Sequence, residues 1–139
     1  MLEKTMEEKQ RYRILIADDD GITRHLLRLL LKQYDHEVVG EADDGETTLT
    51  HCARLLPDVV FLDINMPNID GIEVLKKIRQ NHPQITVVMV SVSSTPDHVH
   101  TAMSLGAHEF IVKPFNSASV INTLNNIKRT AQDFPKDKP

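Results

Sequence analysis

Asp58-Val59-Val60-Phe61-Leu62-Asp63-Ile64-Asn65-Met66-Pro67-Asn68-Ile69-Asp70-Gly71 is the stretch on which the fold turns. Its opening, Asp58 to Leu62, is apolar almost throughout rather than alternating. A strand covered on both faces looks like this, and such strands belong to parallel sheets. Four further short runs, rich in Val and Ile, stand along the chain: Arg13–Ala17, Glu37–Ala42, Ile85–Val90 and His108–Val112. The stretches between them keep helical spacing. Ile22, Leu26, Leu29 and Leu30 form one stripe, which Leu27 and Leu31 widen; Leu49, Cys52, Ala53 and Leu56 form a second. Ile72, Leu75 and Ile78 form a third, Val99, Ala102 and Met103 a fourth, and Val120, Ile121, Leu124 and Ile127 a fifth. Thr95 caps the fourth helix with Pro96 at its first position, and Gly106 stops it. Five alternations of strand and helix predict an α/β fold, a five-stranded parallel sheet with helices on both faces. In such sheets a site belongs at the carboxyl ends of the strands.

Composition narrows the rest. The chain has 139 residues, 40% hydrophobic and 26% charged, which is ordinary for one globular domain. A net charge of −4 gives no general pull toward nucleic acid or an anionic membrane. No apolar run approaches the ~20 residues a membrane helix needs, and the charged N-terminal stretch does not read as a signal peptide. A single cysteine, Cys52, excludes an internal disulfide and suits a reducing compartment, so the expected location is the cytoplasm. Residues 1–11 read as a flexible lead-in, 12–131 as the domain and 132–139, with two prolines, as a flexible tail.

The strand ends carry the chemistry. The first run ends in Asp18-Asp19-Asp20, the third in Asp63, the fourth in Ser91 and the fifth in Lys113-Pro114. Three carboxylates brought onto one edge raise one another's pKa unless a cation is present. A divalent ion with oxygen ligands resolves the repulsion, and Mg2+ is the hard cation that tolerates few carboxylates plus waters. Mg2+ and Lys113 together balance the charges of Asp18, Asp19 and Asp63. Such a site suits phosphoryl transfer: cations cover the equatorial oxygens while a carboxylate oxygen attacks in line.

Taken together, Ile16-Ala17-Asp18-Asp19-Asp20, the run from Asp63 to Gly71, Ser91, and Phe110-Ile111-Val112-Lys113-Pro114-Phe115 resemble the receiver domain of two-component response regulators. The resemblance covers about residues 12–131. It implies a flavodoxin-like strand order 2-1-3-4-5, with Asp63 as phosphoacceptor and Asp18 and Asp19 as the metal-binding acids. In the family's pattern Asp19 is the more direct ligand, and Asp18 acts mostly through water. It further implies that Asn65 lends a backbone carbonyl to the metal, that Ser91 is the switch hydroxyl, and that Lys113 pairs with the phosphoryl group. Pro114 matches the proline preceded by a cis peptide, and Phe110 the aromatic switch position, here without a phenol hydroxyl. The implied cofactor is Mg2+. The implied donor is a sensor histidine kinase or phosphohistidine relay protein, and the implied output is a downstream effector protein docking on the face of the fourth helix, fifth strand and fifth helix. The residues after Lys113 suffice for one helix and a tail, so no direct DNA binding is expected.

Several features carry plainer readings. His98 and His100 lie two apart on a helix and do not face each other, so they are no metal pair. Cys52 reads as an inert core thiol, and His25 and His51 as surface residues. The wide apolar face of the first helix reads as packing against two neighbours, with a partner surface as the alternative. Asn65 and Ser93, two residues beyond Asp63 and Ser91, stand where side chains can guide or block the attacking water. Three rival functions remain. A receiver-like module that binds partners without phosphorylation needs no donor. A Mg2+-dependent phosphohydrolase would want Asp-x-Asp after its first strand. A flavodoxin-type carrier would want a Ser/Thr/Gly-rich first loop where this chain has three aspartates.

Overall fold

The Val- and Ile-rich runs pair into one sheet, whose three central runs are apolar almost throughout and are buried between two helical layers, while the two edge runs are only partly buried. The computed structural model describes residues 11–92 and 95–133, with side chains to 127. Its elements are β1 (Arg13–Ala17), α1 (Gly21–Gln33), β2 (Glu37–Ala42), α2 (Gly45–Leu55) and β3 (Val59–Asp63). There follow α3 (Gly71–Asn81), β4 (Thr86–Ser91), α4 (Pro96–Ser104), β5 (Glu109–Val112) and α5 (Ser117–Asp133). All strands run parallel in the order β2-β1-β3-β4-β5, the flavodoxin-like order. The order reverses between β1 and β3, which is where a site belongs in such a sheet.

Period-two alternation sorts the strand side chains between the layers. Ile14, Ile16, Val59, Phe61, Val88, Val90 and Ile111 meet Leu27 and Leu31 of α1 and Val120 and Leu124 of α5. Leu15, Ala17, Val60, Leu62, Val87 and Met89 meet Cys52 of α2, Val74, Leu75 and Ile78 of α3, and Ala102 of α4.

Two helical stripes fall elsewhere than the spacing suggests. In α1 the buried residues are Thr23, Leu27 and Leu31, while Ile22, Leu26 and Leu29 are half or more exposed. The segment is apolar nearly all round, so periodicity offers two faces, and the β1–β2 side of the sheet selects the one led by Thr23. In α2 the buried face is Gly45, Thr48 and Cys52, with Leu49 beside it. Leu56 is no part of that stripe: it follows the helix in left-handed backbone at φ 47 and is exposed. Strands β3, β4 and β5 each begin one residue later than their apolar runs, and Asp63 and Ser91 are the last strand residues rather than the first beyond them.

The helix ends follow local chemistry. Asp20, Asp44, Asp70 and Thr95 cap α1 to α4, each side chain accepting a backbone N–H of the first turn. After α4, Gly106 takes φ 106, a left-handed conformation that favours glycine, and donates its N–H to the Met103 carbonyl.

Candidate functional site

Strand register assembles the site. Ala17 lies opposite Leu62, so Asp18 and Asp63 follow side by side on β1 and β3. Asp63 pairs with Val90, the residue before Ser91, and Ser91 pairs with Val112, the residue before Lys113. The residues named from four strand ends therefore gather at one end of the sheet, where the side chains of Asp18, Asp63 and Lys113 meet.

Asp18 is held on every side. Its N–H donates to the Ala42 carbonyl at 3.0 Å, and its Oδ1 accepts the Asp20 N–H at 2.9 Å. Its Oδ2 is buried without a well-aligned hydrogen bond and meets the Lys113 Nζ at 2.8 Å. Lys113 Nζ also lies 3.5 Å from Asp63 Oδ2, while Asp63 Oδ1 accepts the Asn65 N–H at 3.2 Å. Asp20 caps α1, taking Ile22 N–H and the Thr23 hydroxyl. These hydrogen bonds, the Thr23 hydroxyl first, hold its carboxyl below the ordinary range. That leaves the exposed Asp19 as the acid of this turn without a hydrogen bond among the described residues. Carboxylate oxygens of Asp18, Asp19 and Asp63 come within 4.8 Å of one another.

Burial and charge tune the pair. Asp63 is 3% exposed, and its pKa is pushed up to about 6 by burial and then by the Asp18 charge, against the pull of Lys113 and the Asn65 N–H. Burial works against the Lys113 charge, yet the close carboxylate of Asp18, with Asp63, outweighs it and raises its pKa. One ammonium thus faces three carboxylates. The set offers only oxygen donors, one of them a buried oxygen short of hydrogen bonds, which fits a hard divalent cation.

The remaining named residues lie around this centre. Ser91 is fully buried, and its carbonyl accepts the Lys113 N–H at 2.9 Å. The Lys113–Pro114 peptide is cis. Phe110 sits on β5 opposite Met89, half-buried against the core layer that contains Ala102 of α4. Asn65 is exposed, the second residue of the loop after Asp63. Ser93 lies outside the described residues.

Two supports were not visible in the sequence. Gly71, at the start of α3, tucks beneath the end of β3, and a Cβ there would come 2.2 Å from the Asp63 carbonyl oxygen. Its N–H donates to the Ile64 carbonyl at 2.7 Å. Arg24 of α1 reaches back to the Asp18 carbonyl at 2.6 Å and across to Glu41 of β2 at 3.1 Å. Nothing in the sequence couples Arg24 to Glu41 or to the Asp18 carbonyl.

Comparison with known proteins agrees with this geometry. Residues 14–125 match the response regulator receiver domain model. The chemotaxis protein CheY of Bacillus subtilis is 38% identical over 114 residues, covering 82% of this chain and 95% of that protein. A protein-glutamate methylesterase/protein-glutamine glutaminase of Trichodesmium erythraeum is 39% identical over 129 residues, covering 91% of this chain. The chain spans only 36% of that enzyme's length. Among solved structures, the response regulator domain of Thermotoga maritima CheB superposes with a TM-score of 0.73 at 32% identity, covering 93% of this chain and all of that one. No helix among the described residues is long and apolar enough to cross a membrane.

Proposed function

Because this chain belongs to the response regulator receiver domain family and serves phosphorelay signalling, we propose that Asp63 is its phosphoacceptor and Lys113, Asp18 and Asp19 its working partners. The observation that carries the reading is the buried Asp63 carboxylate, flanked by the carboxylate of Asp18 and the ammonium of Lys113. A sensor histidine kinase or phosphohistidine relay protein supplies the phosphoryl group. An Asp63 carboxylate oxygen bonds to phosphorus as the P–N bond of the donor breaks, and the imidazole leaves with the electron pair. Asp63 must be ionised to attack, and a pKa of about 6 leaves it mostly so near neutrality.

Asp18, Asp19, Asp63 and the Asn65 carbonyl are the groups that would hold Mg2+. When bound, Mg2+ neutralises charge developing on the phosphoryl oxygens. Lys113 Nζ stands between Asp18 Oδ2, at 2.8 Å, and Asp63 Oδ2, at 3.5 Å, and serves as the cation that meets the phosphoryl group on Asp63. The fixed carboxylates and lysine spend little reorganisation during transfer, which is where the domain assists its own phosphorylation.

Ser91 and Phe110 serve as the switch. Ser91 moves toward the phosphoryl group, and Phe110, half-buried on the adjacent strand, turns into the space it leaves. That remodels the face of α4, β5 and α5, where Met103 and Val112 stand partly exposed for an effector protein to dock. A Ser91→Ala variant should accept phosphate yet lose most of the change in effector affinity; an unaltered response would refute the coupling. Asn65 tunes the lifetime of the acyl phosphate, since it is exposed two residues beyond Asp63, where a side chain can guide or block the attacking water. The working unit is residues 12–131, acting in the cytoplasm.

Intact mass after incubation with a small phosphodonor and Mg2+, beside an Asp63→Ala control, tests the assignment. One phosphoryl group gained by the native protein alone supports it. An equal gain by the Ala variant refutes it. No gain in a folded protein that binds Mg2+, repeated with a histidine kinase, would favour a phosphorylation-independent binding module.

A further inference from the structure

A three-residue ion network lies just outside the acid cluster and joins it to the edge strand. Arg24 Nη1 donates to the Asp18 carbonyl at 2.6 Å, and its Nε donates to Glu41 Oε1 at 3.1 Å. Arg28, one helical turn further along α1, pairs with the other oxygen of Glu41. The side chains of Arg24 and Glu41 are about three-quarters covered. The network therefore spans α1, the β1–α1 turn and β2, and it ends on a backbone atom of the turn rather than on a carboxylate.

That backbone atom matters because a peptide is planar. Fixing the Asp18 carbonyl oxygen fixes the plane that also contains the N and Cα of Asp19. On its other side Asp19 is followed by Asp20, anchored by its N–H to Asp18 Oδ1 and by its carboxylate to Ile22 and Thr23. The exposed Asp19 carboxylate has no hydrogen bond among the described residues to hold it, so the two clamped neighbours set where its Cα–Cβ bond starts and which way it leaves the backbone.

We infer that Arg24, braced by Glu41 and Arg28, is a positioning residue that aims Asp19 at the cation site. The inference rests on the metal-binding reading of Asp18, Asp19 and Asp63. Arg24 touches no reacting atom; it acts through the Asp18–Asp19 peptide. Residues that orient ligands in this way typically govern metal affinity by 10–100-fold.

The sign of the effect separates this role from simple electrostatics. Arg24 carries positive charge beside a site for a cation, so Coulomb repulsion alone would make its removal tighten Mg2+ binding. Loss of a brace would weaken it. Mg2+ affinity is measured by calorimetry on the unphosphorylated full chain for wild type, Arg24→Ala, Arg24→Lys and Asp19→Asn, with urea unfolding to verify each fold. The brace predicts about tenfold weaker Mg2+ binding in Arg24→Ala. It predicts an intermediate loss in Arg24→Lys, because lysine keeps the charge but cannot hold the carbonyl and Glu41 together. Arg24→Ala binding Mg2+ as tightly as wild type, or more tightly, overturns the inference. Should Arg24→Ala not fold, Arg24→Lys decides: unchanged affinity overturns the brace and a several-fold loss supports it. A wild type without Mg2+ binding, or an Asp19→Asn variant indistinguishable from wild type, would instead bring down the metal reading and the brace with it.

Discussion

Replacing Asp63 by Asn should stabilise the metal-free protein, even though it removes the proposed acceptor. The buried carboxyl has its pKa lifted from the ordinary 3.8 to about 6 by burial and by Asp18. A raised folded-state pKa means the native state holds the proton more tightly than the unfolded chain. The favourable contribution is fully present below about 3.8 and is lost as pH rises through about 6. At neutral pH the native protein therefore carries an ionised group that the fold disfavours. About two pKa units at about 1.4 kcal/mol each set an upper bound near 3 kcal/mol, and relaxation around the crevice brings the expected gain to roughly 1–2 kcal/mol. Asn keeps the shape and the acceptor for the Asn65 N–H. Urea unfolding in EDTA across pH 4–8 should show Asp63→Asn more stable at pH 7, with the advantage fading toward pH 4 and the m-value unchanged. Saturating Mg2+ should then stabilise wild type more than the variant, because stabilisation grows with the logarithm of a ligand's affinity for the folded state. An Asp63→Asn protein no more stable than wild type at pH 7, or an advantage independent of pH, would refute the reasoning.

The two leucine faces of α1 should separate cleanly: Leu27→Ala, at a fully buried site, costs about 2–5 kcal/mol. Leu26→Ala, at a site 52% exposed, stays within about 0.5 kcal/mol in the same unfolding assay. Gly71→Ala places a Cβ against the Asp63 carbonyl, so it should cost about 1–3 kcal/mol and slow phosphoryl acceptance by displacing the end of β3. Intact mass against time reads the second effect. His36 and His108 accept the backbone N–H groups of Tyr12 and Val87 through Nδ1, and burial first pushes both below the ordinary imidazole value. Their depressed pKa gives stability that is present above about 6.5 and lost as pH falls. NMR titration should find both imidazoles below that value; titration at or above it would contradict the geometry. Cys52, fully buried with its thiol pushed up to about 12 by burial, should resist a thiol reagent until the chain is unfolded.

Much of this molecule can be read along the chain because its local signals agree. Runs such as Val87-Val88-Met89-Val90 are apolar on both faces, and no single-layer sheet could bury them. Thr95, followed by Pro96, reads as a helix cap from the chain alone, a local matter that needs no distant partner. The site residues are legible for the same reason: in a parallel sheet every strand ends at one edge, so the polar residue after each apolar run arrives there. Asp18, Asp63 and Lys113 meet on that logic alone.

What the chain leaves open is settled where two segments distant in sequence compete for one surface. The leucine-rich α1 has apolar residues around most of its circumference, and only its contact with the sheet buries Thr23, Leu27 and Leu31 while leaving Ile22, Leu26 and Leu29 outside. Spacing cannot choose between such faces, because hydrophobic burial is non-directional and rewards either. Gly71 reads locally as a residue at a helix start; that its missing side chain lets α3 close on the Asp63 carbonyl depends on how the loop after β3 returns. Arg24 and Glu41 meet because α1 packs over the β1–β2 side of the sheet, a relation carried by no spacing in the sequence. Which elements form and which end of the sheet is charged follow from periodicity along the chain and from parallel strands sharing an edge. Which helix face is buried, and that Arg24 reaches the Asp18 carbonyl and Glu41, depend instead on distances between groups that the chain brings together only when folded.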